Sequence, residues 1–208
     1  MASEARPDSG HGHQGRHGNP QDLASYIAKM EAPDRDAWQK PKEVLRALKL
    51  LPGQVASDIG AGPGYFALRL ARKVGVRGAI FAVDVETRIL DVLRNRIEQA
   101  GVTNIAPILG LPGDPLLPLG ACDLVLVVDT FHHFPNGVAY LRRLSRSLRK
   151  GGHLVNIDYH RRELPVGPPL EHKVSREDFL MQAQKAGLAL VAEHTFLPYQ
   201  YFLVFRGT

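Results

Sequence analysis

Val55-Ala56-Ser57-Asp58-Ile59-Gly60-Ala61-Gly62-Pro63-Gly64-Tyr65-Phe66 decides the fold. An apolar run from Leu51 to Ile59 is interrupted by Asp58, then meets glycines at alternate positions, Gly60, Gly62 and Gly64. A helical pattern follows at once. A strand that ends in a glycine turn and opens a helix holds a polar ligand against bare backbone, because glycine tolerates tight dihedrals and lets the main chain approach where a side chain would collide. The spacing is not the Gly-x-Gly-x-x-Gly of dinucleotide sites. The third glycine comes one residue early, and an acid sits two residues before the first.

The next acid in such a site is expected about 20 residues further on, at the end of a second strand. Ala79-Ile80-Phe81-Ala82-Val83-Asp84 supplies it: five apolar residues fit a buried parallel strand with Asp84 at its carboxyl end. There Asp84 either accepts hydrogen bonds from ribose hydroxyls or caps the following helix.

The pattern then alternates. A helix is expected from about Gly64 to Val74, another over 87–100, a short strand near 105–109, a buried strand over 123–129, a helix over 137–149 stopped by Lys150-Gly151-Gly152, and a strand over 153–158. Strand alternating with helix means a parallel sheet covered on both faces. The end differs. Ser175-Arg176-Glu177-Asp178 looks like a capping box, Gly187 ends that helix, and two strands, 188–194 and 199–206, follow with no helix between them. They form an antiparallel hairpin at one edge.

Together these features resemble the class I S-adenosylmethionine (SAM)-dependent methyltransferases, over roughly residues 40–208. The resemblance implies an α/β fold: a Rossmann-like, doubly wound, mostly parallel sheet closed by an antiparallel C-terminal hairpin. It implies SAM as cofactor, with Asp58, Gly60, Ala61, Gly62 and Gly64 around its methionine part, and Asp84 and Val85 at the ribose. Asp114 falls near the adenine amino group, although Gly113-Asp114 stands three residues late for the commonest pattern; otherwise Pro112-Gly113-Asp114-Pro115 is a surface turn. Asp129 ends the fourth strand against the cofactor. Lys150 stands where the family usually has proline.

The reaction implied is in-line methyl transfer to a small-molecule acceptor, whose receiving atom (O, N, C or S) stays open. Positioning carries much of such catalysis, and a general base is needed only where the nucleophile must lose a proton. His132 and His133 are the base candidates, since histidine titrates near neutrality; the pair also fits ordinary packing around the cofactor. Tyr159 and His160 either line substrate or cap the sheet. Tyr199 and Tyr201 suit strand packing. Alternatives are an RNA or protein methyltransferase, or a noncatalytic SAM-binding protein. No Asn/Asp-Pro-Pro-Tyr-like tetrapeptide follows the fourth strand, which argues against amino-methylation of DNA bases or glutamine.

Three segments are expected: a disordered tail over 1–20, an N-terminal helical lid over 21–50, and the SAM-binding domain over 51–208. In the second, Leu23, Tyr26, Ile27 and Met30 share one helical face and Val44, Leu45 and Leu48 another, with Pro41 at a first-turn position. Trp38, the sole tryptophan, either packs or covers the active-site mouth. The tail carries His11, His13 and His17, with nothing to fix coordination geometry, so no metal is assigned.

Composition bounds the rest. One cysteine, Cys122, excludes an intrachain disulfide and a cysteine-rich zinc site. No stretch approaches roughly 18 apolar residues, and no apolar signal core opens the chain. A cytoplasmic protein without membrane contact is expected. Net charge is +5. The most basic stretch, Arg142 to Lys150, has Leu141, Leu144 and Leu148 at helical spacing. Its charges therefore read as a solvated face, and no aromatic residues interleave as in an RNA stripe. This argues against nucleic acid as a partner. Nothing bears on oligomeric state.

Overall fold

The computed structural model describes residues 22–207. The expected tail over 1–20, with its histidines, lies outside the described residues. Three short helices come first: α1 (Leu23–Met30), α2 (Arg35–Gln39) and α3 (Pro41–Ala47). The alternating part follows as β1 (Val55–Ile59), α4 (Ala67–Val74), β2 (Ala79–Asp84), α5 (Thr87–Gln99), β3 (Ile105–Leu109), β4 (Cys122–Val128), α6 (Gly137–Ser147) and β5 (Leu148–Tyr159). Then come α7 (Arg176–Lys185), β6 (Leu188–His194) and β7 (Gln200–Gly207).

The seven strands form one sheet in the order β3-β2-β1-β4-β5-β7-β6. The pairs from β3 to β5 are parallel; β7 is antiparallel to both β5 and β6. Strand side chains alternate between two cores. Leu124 and Leu126 of β4 join Phe66, Leu70 and Leu93 on one face, while Val125 and Val127 join Leu141, Leu144 and Phe179 on the other. This two-sided burial is why the strands read as nearly continuous apolar runs. Strand order reverses between β1 and β4, and open α/β sheets bind ligands outside the strand ends at that point.

Two boundaries differ from expectation. The glycine stretch stays in turns through Phe66, and α4 begins only at Ala67. The α6 helix stops at Ser147, not 149, and β5 starts at Leu148, which pairs with Cys122 ahead of a register shift. Leu148 thus serves sheet pairing where helical spacing assigned it to the helix. Ser175 caps α7, its hydroxyl accepting from Asp178 N at 3.0 Å; the Asp178 carboxylate accepts from that hydroxyl at 2.7 Å in place of the return bond of a capping box. Among the described residues, no helix is long and apolar enough to cross a membrane.

Candidate active site

Backbone geometry at the end of β1 explains the glycines. Gly60 and Gly62 have φ of +70° and +55°, a region that side chains disfavour. There is also no room for one. A Cβ on Gly60 would collide with the Thr130 side chain, and on Gly62 with the Met30 methyl. Met30 ends α1, so the N-terminal helices lie directly against the glycine loop. Glu31 pairs with Arg96, and Asp36 accepts from Tyr65 Oη at 2.5 Å and Arg69 at 3.2 Å.

Asp84 does not cap the following helix, whose N-cap is Glu86; it braces the backbone around it. One oxygen accepts from Gly62 N at 2.9 Å, bracing the loop; the other accepts from Glu86 N at 3.1 Å, at the start of α5. Burial is the main force raising its carboxyl, opposed by those backbone donors. Val85 beside it is partly exposed. Asp58 is only 3% exposed. Burial pushes its carboxyl up to about 7, against the pull of the Ala67 N–H and of Arg35, and Asp84 adds repulsion. Its Oδ2 has no hydrogen-bond partner.

Arg35 was not legible as a site residue. It is nearly buried, donates from Nη1 to Met30 O at 2.6 Å, and stacks its guanidinium 3.8 Å from the Tyr65 ring centroid. Its Nε is buried without a partner. Its charge acts on Asp58 and Asp129 alike. A buried acceptor on Asp58 and a buried donor on Arg35, both unsatisfied beside bare glycine backbone, suit a zwitterionic amino acid. The ammonium group matches Asp58 and the carboxylate matches Arg35. With Asp84 at the neighbouring strand end for ribose hydroxyls, the residues present fit SAM.

A second cluster lies at the ends of β4 and β5. Asp129 has φ of +53°, uncommon outside glycine and found at strained functional positions. Gln39 of α2 donates to Gln200 Oε1 at 2.8 Å, and Gln200 donates to Asp129 Oδ1 at 2.5 Å. This buried relay joins the N-terminal helices, the hairpin and the β4 end. The charge of Asp129 also acts on the Tyr159 hydroxyl. Burial, then the charge of Asp158, holds Asp129 up at about 7. Trp38 lies with its ring 6.0 Å from Tyr159 and 6.2 Å from Tyr199. Tyr201, by contrast, is core.

His132 places Nδ1 at 3.1 and 3.2 Å from the two carboxylate oxygens of Asp158, which also accepts from Tyr159 N at 2.8 Å. Burial pulls the imidazole down, but the bond to Asp158 and the charges of Asp158 and Asp129 outweigh it, and the net shift is upward. The His133 ring lies 4.2 Å away, tilted by 48°. Both histidines line a cavity of about 260 Å³ with Glu171, His172, Lys173 and Val174. His160 is not part of this cluster; it sits against Tyr201, among Arg162, Arg176, Glu177 and Glu193. Asp114 lies in the turn bridging to Leu111 and pairs with Arg143. Among the described residues, no three His, Cys, Asp or Glu side chains form a group able to hold a metal ion.

The arrangement defines a class. Residues 56–152, a little under half of the chain, match the methyltransferase-domain family. A SAM-dependent methyltransferase from Aquifex aeolicus superposes with a TM-score of 0.83 at 24% identity, covering 89% of this chain and 98% of that one. A demethylmenaquinone methyltransferase from Listeria welshimeri is 24% identical over 128 residues, 62% of this chain and 53% of its own. A ubiquinone/menaquinone biosynthesis C-methyltransferase from Vibrio vulnificus is 25% identical over 120 residues, 57% of this chain and 45% of its own. The chain thus spans about half the length of the curated relatives it matches. The [4+2]-cyclase SpnF shares the fold with a TM-score of 0.68 at 15% identity, so the architecture alone does not fix the reaction.

Proposed function

We propose that this protein transfers the methyl group of SAM to a small-molecule acceptor. The observation that carries the reading is the meeting of Asp58, Arg35 and Asp84 around the glycine loop, beside the Asp129–Asp158–His132 cluster at the adjacent strand ends. Asp58 and Arg35 hold the ammonium and carboxylate of SAM, and Asp84 its ribose hydroxyls. When bound, SAM supplies an electrophilic methyl group on a sulfonium whose departure as a neutral thioether needs no acid. The chain's own contribution is then positioning, which for well-oriented reactants is worth about 7–11 kcal/mol. α1 and α2 act as a cover that excludes water, with Gln39 fixing the cover to the hairpin and Trp38 at the mouth. The quinone methyltransferases among the relatives support an acceptor of small-molecule size.

Calorimetry tests the binding half of this reading. SAM and its demethylated product bind, and NAD does not. Arg35→Gln weakens SAM by roughly 10- to 100-fold, the loss expected for a charged hydrogen bond. NAD binding without SAM binding would overturn the assignment. SAM binding with an unchanged constant in Arg35→Gln would remove Arg35 from the site.

A further inference from the structure

We propose that the cavity beside His132 receives the acceptor, and that the acceptor carries both an acidic hydroxyl, phenolic or enolic, and a carboxylate. His132 removes the hydroxyl proton and Lys173 holds the carboxylate. The proposal rests on the reading of the protein as a small-molecule methyltransferase.

Size comes first. An engineered cavity of about 150 Å³ holds benzene. The space of about 260 Å³ between the Phe131–His133 turn and residues 171–174 therefore accommodates one substituted ring.

Proton chemistry comes second. Asp158 accepts from Nδ1 of His132, so the neutral ring carries its lone pair on Nε2, at the opposite edge of the imidazole. Asp158 is itself fixed by the Tyr159 N–H, and with Asp129 it stabilises the imidazolium once formed. A neutral imidazole matches a phenolic or enolic hydroxyl, whose proton affinity lies within a few powers of ten of its own. It matches an aliphatic alcohol far less well. The other titratable groups around it are His133, tilted against its ring, and Glu171, His172 and Lys173 along the cavity.

Charge comes third, and independently. Lys173 is 5% exposed, and Nζ donates to Arg162 O at 2.8 Å. Among the described residues, no carboxylate pairs with it; Glu171 on the same cavity is exposed. A buried ammonium calls for a counter-charge, and an acceptor carboxylate supplies one at the cavity wall. The step balances. The hydroxyl proton passes to His132 Nε2, the oxygen uses its freed pair to bond the methyl carbon, the carbon–sulfur pair stays on sulfur, and His132 returns its proton to water.

The test uses 4-hydroxybenzoate as probe and its methyl ester as neutral control, on the full chain. In calorimetry without methyl donor, wild type binds the acid at least 10-fold more tightly than the ester. Lys173→Met removes that preference, and Lys173→Arg restores part of it. In turnover with SAM, Lys173→Met raises KM for the acid with kcat near wild type. His132→Asn leaves acid binding intact, lowers kcat by roughly 100-fold or more, and removes the rise of kcat with pH on the acid side. SAM affinity, measured for each variant, stays at the wild-type value, and circular dichroism checks that each variant folds. Equal binding of acid and ester, a preference that survives Lys173→Met, or no binding and no methylation of the acid overturns the inference. If SAM fails to bind wild type, the underlying reading fails instead.

Discussion

Replacing Asp58 with asparagine should make the protein more stable and a poorer SAM binder, and the two effects should separate by pH. Asp58 is 3% exposed, accepts from the Ala67 N–H, and leaves Oδ2 without a partner. Burial lifts its carboxyl from 3.8 to about 7. The folded chain therefore keeps a proton that the unfolded chain releases. Stability from this group is complete below about pH 4 and falls as pH rises toward 7, then stays level. The full loss is roughly 4 kcal/mol, at about 1.4 kcal/mol per tenfold change. Asparagine keeps an acceptor for Ala67 and never ionises, but strands an amide N–H₂ at a cost of about 1–3 kcal/mol. The net gain at pH 8 is about 1–3 kcal/mol, or roughly 2–10 °C in melting temperature for a chain of this size. It vanishes or reverses near pH 4. SAM inverts the order, because its ammonium supplies the missing partner of the ionised carboxylate. The variant should gain less thermal shift from SAM and bind it at least 10-fold more weakly. Melting curves from pH 4 to 9, with and without SAM, read both effects. A difference in melting temperature that is the same at pH 5 and pH 8, or an unchanged SAM dissociation constant, refutes the reasoning.

Three further outcomes follow from the geometry. Asp84→Ala should weaken SAM by about 1.5–3 kcal/mol and loosen the loop at Gly62, whose N–H it accepts; calorimetry beside a melting curve checks both. Gly60→Ala forces a side chain into Thr130 at a φ of +70°, so melting temperature and SAM binding should fall together; a variant as stable as wild type would contradict the close approach. Trp38 emission and quencher access should change on SAM binding, and deletion of residues 1–40 should abolish turnover and weaken SAM while circular dichroism still reports the sheet. Full binding by the truncated chain would end the role of α1 and α2 as a cover.

The central strand β4 was legible because it is buried on both faces and almost wholly apolar, and the hairpin because two strand patterns met with only a turn between. The glycine loop was legible because its spacing encodes backbone shape directly. The α6–β5 boundary was not: Leu148 satisfies the helical period and the strand alike, and only pairing with Cys122 decides. Arg35, Gln39, Gln200 and Lys173 gave no signal. They are polar residues outside any repeat, and what makes them notable is burial beside partners far away in the chain. Arg35 stood in a polar segment, Asp34-Arg35-Asp36, indistinguishable from a solvated turn. His132 was visible as a histidine at a strand end, but Asp158 as its partner required the fold to bring together residues 26 apart.

The bond between Gln39 and Gln200 spans 161 positions of sequence, and this sets an order of assembly. During synthesis α2 emerges long before β7 exists. Until the last strand is laid against β5, Gln39 and Asp129 face each other without the amide that joins them. The half of the sheet from β1 to β4 has all its own strand partners by then. Its loop geometry can form while that relay is still incomplete. Completing the Gln39–Gln200–Asp129 relay needs both ends of the chain at once, so it forms last, by non-local contacts that are slow to form. A chain cut ahead of β7 would keep the glycine loop and lose the relay.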